Sequence, residues 1–187
     1  MSDTDFSFEH RFQCEVLAEL SGTHVPPRFF FPQDRLSGRD GVILRVEPEG
    51  AHSWIGVFAF GMFGKAGITK VLSMPDPDML CVLARGAGYA VSASKPSNYT
   101  EVQLHPIIDA RSVKEAHLVV LANYTEMLAY DERGIRWRTN RISWSDLKIT
   151  AVSNAIISGE YWDIRDEVVK TFEVNLSSGA VTGGIEG

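Results

Sequence analysis

The side chains that most often carry chemistry are spread along this sequence rather than gathered. His10, His24, His52, His105 and His117 match neither His-x-His nor His-x-x-x-His, spacings that let neighbouring imidazoles share a metal. No metal site is expected, and His117 is read as lying at the mouth of the apolar run that follows it. Cys14 and Cys81 form no Cys-x-x-Cys pair, and both have apolar neighbours. In such surroundings a thiol acts as a small buried hydrophobe and its thiolate is disfavoured. Gly22-Thr-His24 and Ser53-Trp54 lack the Gly-x-Ser-x-Gly setting of a nucleophile elbow. Gly61-Met-Phe-Gly64-Lys65 is followed by alanine, without the hydroxyl of a phosphate loop. That segment and Gly86-Ala-Gly88 read as hairpin turns.

Acidic residues come in two groups. Asp76 and Asp78 flank Pro77, and Asp163, Asp166 and Glu167 share one loop. Paired acids suit calcium binding or glycoside hydrolysis, but the denser series of a calcium loop is missing, and acidic β-turns account for both groups. The densest cluster is basic and aromatic: Arg136-Trp137-Arg138, then Arg141 and Trp144, then Tyr161-Trp162-Asp163. Trp and Arg are the types most enriched at binding hot spots. The candidate binding residues are Arg136, Arg138, Arg141, Trp144, Trp162 and Asp163. Strand alternation would put Arg136 and Arg138 on one face and Trp137 on the other. Trp137 is assigned to packing, with Trp144 or Trp162 more exposed. No catalytic residue is assigned.

The elements that must position these side chains read as strands. From Gly41 onward the sequence alternates short apolar runs, rich in β-branched and aromatic residues, with turns of Gly, Pro, Asn, Asp and Ser. A spacing of 38 residues links Val42, Leu80, Leu118 and Ile156, each within a similar apolar run. Such a period, with several strands per unit, marks repeat architectures. The fold class expected is therefore mainly β: repeated antiparallel units, propeller-like or as stacked sheets, with a short N-terminal helix as an option. Residues 1–40 are read as an N-terminal arm or irregular segment and 41–187 as the β-rich repeat domain, the two forming one compact whole. In 1–40, Phe6, Phe8, Phe12, Cys14 and Val16 fit strand period, while Phe12, Val16 and Leu20 fit a helical face. Pro26 and Pro27 exclude a helix interior, and Phe29-Phe30-Phe31 is expected to plug a core. Gly183 and Gly184 are read as a frayed tail.

One stretch carries a resemblance. Leu128-Ala-Tyr-Asp-Glu-Arg-Gly-Ile-Arg-Trp-Arg138 resembles the blade motif of quinoprotein-like (PQQ-type) β-propellers, where an Ala-x-Asp turn leads through Gly to a docking Trp. Glu173-Val-Asn-Leu-Ser-Ser-Gly-Ala-Val181 is similar to the same turn, with Asn175 in the Asp position and no Trp following. Leu118 to Gly184 also resembles uncharacterised bacterial proteins with an Ala-Tyr, Gly, Trp-Arg, Trp-Asp pattern. The resemblance implies a fold and transfers no active site. A quinone-binding propeller needs more blades than 187 residues hold, so no cofactor is expected.

Composition narrows the function classes. The net charge of −6 opposes generic nucleic-acid binding, which needs a basic face. No apolar stretch reaches membrane-spanning length, and the N-terminus carries no secretory signal, so a cytoplasmic location without membrane partners is expected. The leading expectation is a non-enzymatic binding or interaction protein with a protein or small-molecule partner. Open sheet edges would make a homodimer a candidate assembly. The alternative is a small hydrolase using Asp163 with His52 or His117 for acid–base chemistry.

Overall fold

The computed structural model describes residues 3–20, 26–33, 40–61, 67–153 and 155–185. Contacts divide the chain into two compact units, Met1–Pro106 and Ile107–Gly187. The units therefore do not follow a boundary at residue 40. The chain is mainly β, and the one helical turn among the described residues is a 3-10 turn at Lys114–Ala116. No described helix is long and apolar enough to cross a membrane.

The first unit holds β1 (Asp3–Asp5), β2 (Phe12–Leu17), β3 (Arg28–Phe31), β4 (Gly41–Pro48), β5 (Trp54–Ala59), β6 (Lys70–Ser73), β7 (Met79–Ala84), β8 (Ala87–Ser92) and β9 (Tyr99–Glu101). They form one sheet in the order β2-β4-β5-β3 and another in the order β1-β6-β7-β8-β9. Two pairings depart from the antiparallel expectation: β1 runs parallel to β6 and β3 parallel to β5. The optional N-terminal helix is replaced by β2, whose Phe12 and Cys14 face the core while the strand pairs with β4 along its length. The described part of residues 1–40 thus supplies three sheet strands. The phenylalanines do fill a core: Phe31 is buried and stacks on Phe58 at 4.5 Å, and Phe29 meets Trp54 edge-on.

The second unit holds β10 (Asp109–Val113), β11 (Leu118–Ala122), β12 (Met127–Asp131), β13 (Gly134–Arg138), β14 (Lys148–Val152), β15 (Ile156–Asp163), β16 (Val168–Asn175) and β17 (Val181–Gly183). Here both sheets are antiparallel meanders in chain order, β10-β11-β12-β13 and β14-β15-β16-β17. Gly183 pairs with Phe172, and the amide of Ile185 donates to the Ile142 carbonyl at 2.9 Å. Gly183 therefore sits in β17 and Gly184 in the bend that follows it, where the sequence suggested a frayed tail.

The 38-residue spacing has a structural meaning. Val42, Leu80, Leu118 and Ile156 fall in β4, β7, β11 and β15. In the run β6-β7-β8-β9 and in each other sheet, that strand is second in spatial order. β4 and β15 even share one burial alternation along eight residues, as a strand with one face inward requires.

Each unit also carries a tryptophan anchor. The Trp54 indole N–H donates to the Ala93 carbonyl, and the Trp137 indole N–H donates to the Leu176 carbonyl, both at 2.7 Å and both 39 residues onward. The two rings are buried, so each donor needs its partner. Trp137 lies against Gly179, where a Cβ would meet ring atoms at 2.8 Å and where φ is +71°. Glycine there answers both a left-handed backbone and a close ring.

Both cysteines are unpaired, Cys81 fully buried and Cys14 partly so. Burial pushes each thiol up to about 12, with Glu15 adding to the effect at Cys14. Native-state thiol titration at neutral pH should therefore show slow labelling, slowest at Cys81. Rapid labelling of both would contradict the packing around β2 and β7.

Candidate interaction surface

The six residues picked out by the sequence all fall in the second unit. Arg136 lies on β13 where the β12–β13 register slips, between the Ala129–Trp137 and Tyr130–Ile135 pairs. The slip overrides strict alternation: Ile135 and Arg136 are both exposed, while Trp137 is buried. Arg138 forks onto Glu126, Nε to Oε2 at 2.7 Å and Nη2 to Oε1 at 2.8 Å. That bond, above all, raises the guanidinium above its ordinary value. Arg138 is thus already engaged, and its bidentate geometry fixes the edge of the sheet.

Arg141 and Trp144 do come together. The guanidinium lies 5.0 Å from the indole centroid, within cation–π range. They belong to the 139–147 connection between β13 and β14, in which Asp146 takes a φ of +58°. Trp144 is 42% exposed and Trp162 41%, against 7% for Trp137. The division of the tryptophans into one packing residue and two exposed ones holds.

Trp162 and Asp163 are neighbours on opposite faces of β15. Asp163 is buried, and Lys170 Nζ reaches its Oδ2 at 2.7 Å. Its Oδ1 accepts the backbone amide of Arg165 at 2.8 Å. Lys170 also bonds Asp166. The Lys170 bond, then the Arg165 amide, hold the Asp163 carboxyl below the usual carboxylate range, and the two acids push Lys170 up. This Asp closes a hairpin, and both its oxygens are occupied. It therefore offers no free acid or base to a hydrolase. His52 and His117 are exposed, and His117 serves the backbone: at φ 52° it ends the 3-10 turn ahead of β11. His24 and Met62–Ala66 lie outside the described residues.

Acid should loosen this tip. A carboxyl held low when folded contributes fully above its ordinary value, about 4. That contribution is lost as pH falls through the lower folded-state value. Trp162 fluorescence followed from about pH 5 to about pH 2 should report the change, and Asp163→Asn should flatten it. An unchanged profile in that variant would show that the transition belongs to other groups.

The remaining acidic group is turn chemistry, as expected. Asp76 Oδ1 accepts the Asp78 amide at 2.9 Å, and Asp78 accepts Ser92 Oγ at 2.6 Å and the Ser94 amide at 2.9 Å. Among the described residues no cluster of three His, Cys, Asp or Glu is placed to hold a metal.

The sequence reading missed the partners of Trp162. Val169 is its direct cross-strand neighbour, and Val168 and Ile164 flank the same β15–β16 tip. Exposures are 66% for Ile164, 59% for Val169 and 47% for Val168. These four are almost half of the nine large apolar side chains exposed among the described residues, and all lie within eight consecutive positions. The signal was present. Val169 shares strand parity with Thr171 and Glu173, while Phe172 and Val174 take the other. Two apolar side chains on a polar face are left without a core to join.

No protein-family model and no curated protein matches this chain. Among solved structures it is similar to the N-terminal domain of Nup159, at 13% identity and a TM-score of 0.38 over 99% of this chain and 54% of that one. It is similar to the same degree to a chain in an S. cerevisiae assembly of dbp5 with nup159, gle1, IP6 and ADP, over 92% of this chain and 50% of that one. The chain spans about half the length of these structures.

Proposed function

We propose that this chain is a non-enzymatic protein-interaction module whose docking element is the tip of the β15–β16 hairpin. One observation carries the reading: Trp162 and its cross-strand partner Val169 are exposed side by side on one face of a single hairpin, with Ile164 exposed in its turn and Val168 exposed on the Asp163 face of the same tip. Scattered apolar residues on a surface need no explanation, whereas a contiguous group does. The Asp163–Lys170–Asp166 ion cluster holds the tip in place, so little ordering is left to a partner. Trp144 under Arg141 supplies a second exposed aromatic in the same unit. The quinoprotein-like blade motif belongs to this reading as a scaffold without a cofactor, supported by Trp137 seated on Gly179. A reducing cytoplasm fits the unpaired Cys14 and Cys81.

The test uses a photocrosslinking residue placed in living cells at position 164, with position 132 in the β12–β13 turn as control. Adducts are expected at 164 and not at 132. They should vanish when Trp162→Ser and Val169→Ser are added, changes that cost little stability at exposed sites. Equal adducts at both positions, or none at 164, would overturn the proposal.

A further inference from the structure

The first unit has an open end of different chemistry. A cleft of about 650 Å³ lies there, within the range of small-ligand sites. Val16, Leu17, Val42, Ile43 and Phe60 line it from one sheet and its connections. Thr4, Thr69 and Arg85 line it from the other. Val16 shares strand parity with Phe12 and Cys14 and so points to the core side of β2, yet it is 37% exposed. Among the described residues, nothing covers this part of the inner face of the two sheets.

Arg85 stands over that face. Its guanidinium lies 4.0 Å from the centroid of Phe60 and has no carboxylate partner among the described residues. The nearby cation Lys70 is already shared between Asp3 and Asp5. Arg85 also sits in an unfavoured backbone. With Gly86 it makes the two-residue β7–β8 turn, at φ 46° and 83°. Asn, Asp or Gly suit the first of those positions better. The Arg85 amide donates to Thr69 Oγ1 at 3.1 Å, which helps hold the turn. An arginine on a strained turn beside an apolar face that the other described residues leave open gives one cation, two hydroxyls and an aliphatic wall.

We propose that this cleft binds a small amphiphilic carboxylate, its apolar chain along Val16, Val42 and Phe60 and its carboxylate on Arg85. The site is separate from the hairpin surface and does not rest on it.

Decanoate, kept below its micelle concentration, is the probe, with decanol as the uncharged control. Both are titrated into the isotope-labelled full chain and followed by amide chemical shifts. Decanoate should move amides of Val16, Val42, Thr69 and Arg85, and decanol should bind at least about tenfold more weakly, since a charge-assisted contact is lost. Arg85→Asn, which suits the turn and should melt no lower than the parent, should weaken decanoate by a similar factor and leave decanol unchanged. Val16→Glu, which places a carboxylate in the cleft, should abolish decanoate binding. Equal binding of acid and alcohol, undiminished binding to Arg85→Asn, or shifts centred on the β15–β16 hairpin would each overturn the proposal.

Discussion

Trp137→Ala is expected to destabilise the second unit by about 3–5 kcal/mol, while Trp144→Ala and Trp162→Ala change stability by about half a kcal/mol or less. Truncating Trp137 leaves a ring-sized hole in the cluster that contains Ile142, Leu147 and Tyr161. It also strips the Leu176 carbonyl of its indole donor and removes the ring that covers Gly179. Each loss adds to the cavity cost. Thermal unfolding followed by circular dichroism should show a drop of more than about 10 °C for Trp137→Ala. Trp137→Phe separates the parts, because it restores most of the volume without the N–H. If Trp137→Ala melted with the parent while Trp144→Ala and Trp162→Ala both unfolded the chain, packing and docking tryptophans would be assigned backwards. The hairpin surface would then lose its support.

Gly159→Val is the second large effect. Gly159 is the direct cross-strand partner of Phe172, and a Cβ there would meet the ring at 2.1 Å and the Lys148 carbonyl at 2.6 Å. Phe172 is 1% exposed within the core cluster that also holds Ile157, Val174 and Leu176, so the ring has little room to retreat. Overpacking of this kind costs about 1–3 kcal/mol and more where backbone must move, and here one of the two obstacles is backbone. Gly159→Val should destabilise by at least about 3 kcal/mol. Adding Phe172→Leu should recover part of that loss, a coupling that a double-mutant cycle reads directly. Strict additivity would show that the ring is not what the new side chain meets.

Much of the architecture was legible because it repeats. Leu80 and Leu118 sit in continuous apolar runs, and β7 and β11 are buried along nearly their whole length. Strands buried on both faces read that way, and the equal spacing tied them to Val42 and Ile156. What could not be read were partnerships between distant or parallel strands. Phe29 to Phe31 were recognised as core residues, but their pairing with β5 leaves no local mark, since a parallel neighbour needs no tight turn. The same limit applied to the site. Arg138 was named as a candidate binding residue, and its partner Glu126 lies 12 positions away, visible only once the β12–β13 register is known. Asp163 was picked for its charge and loop position, though its strand parity with Tyr161 points it inward. Trp162 was selected for its type, and its apolar neighbours Ile164, Val168 and Val169 were not singled out, because the pairing that places Val169 beside it is visible only in the sheet register.

The parallel pairings of β1 and β3 set an order on how the first unit can form. β1 must wait for β6, with Asp3 opposite Lys70, and β3 must wait for β5, with Arg28 opposite Ile55. In the second unit every strand after the first of its sheet can zip onto the one made just before it. Non-local pairing closes larger loops before any contact rewards it and so proceeds slowly. During vectorial synthesis the Phe-rich segment around Arg28–Phe31 emerges well ahead of its partner strand and stays a sticky, unpaired edge meanwhile. Pulse-labelled hydrogen exchange during refolding should find amides of β15 and β16 protected earlier than those of β1 and β3.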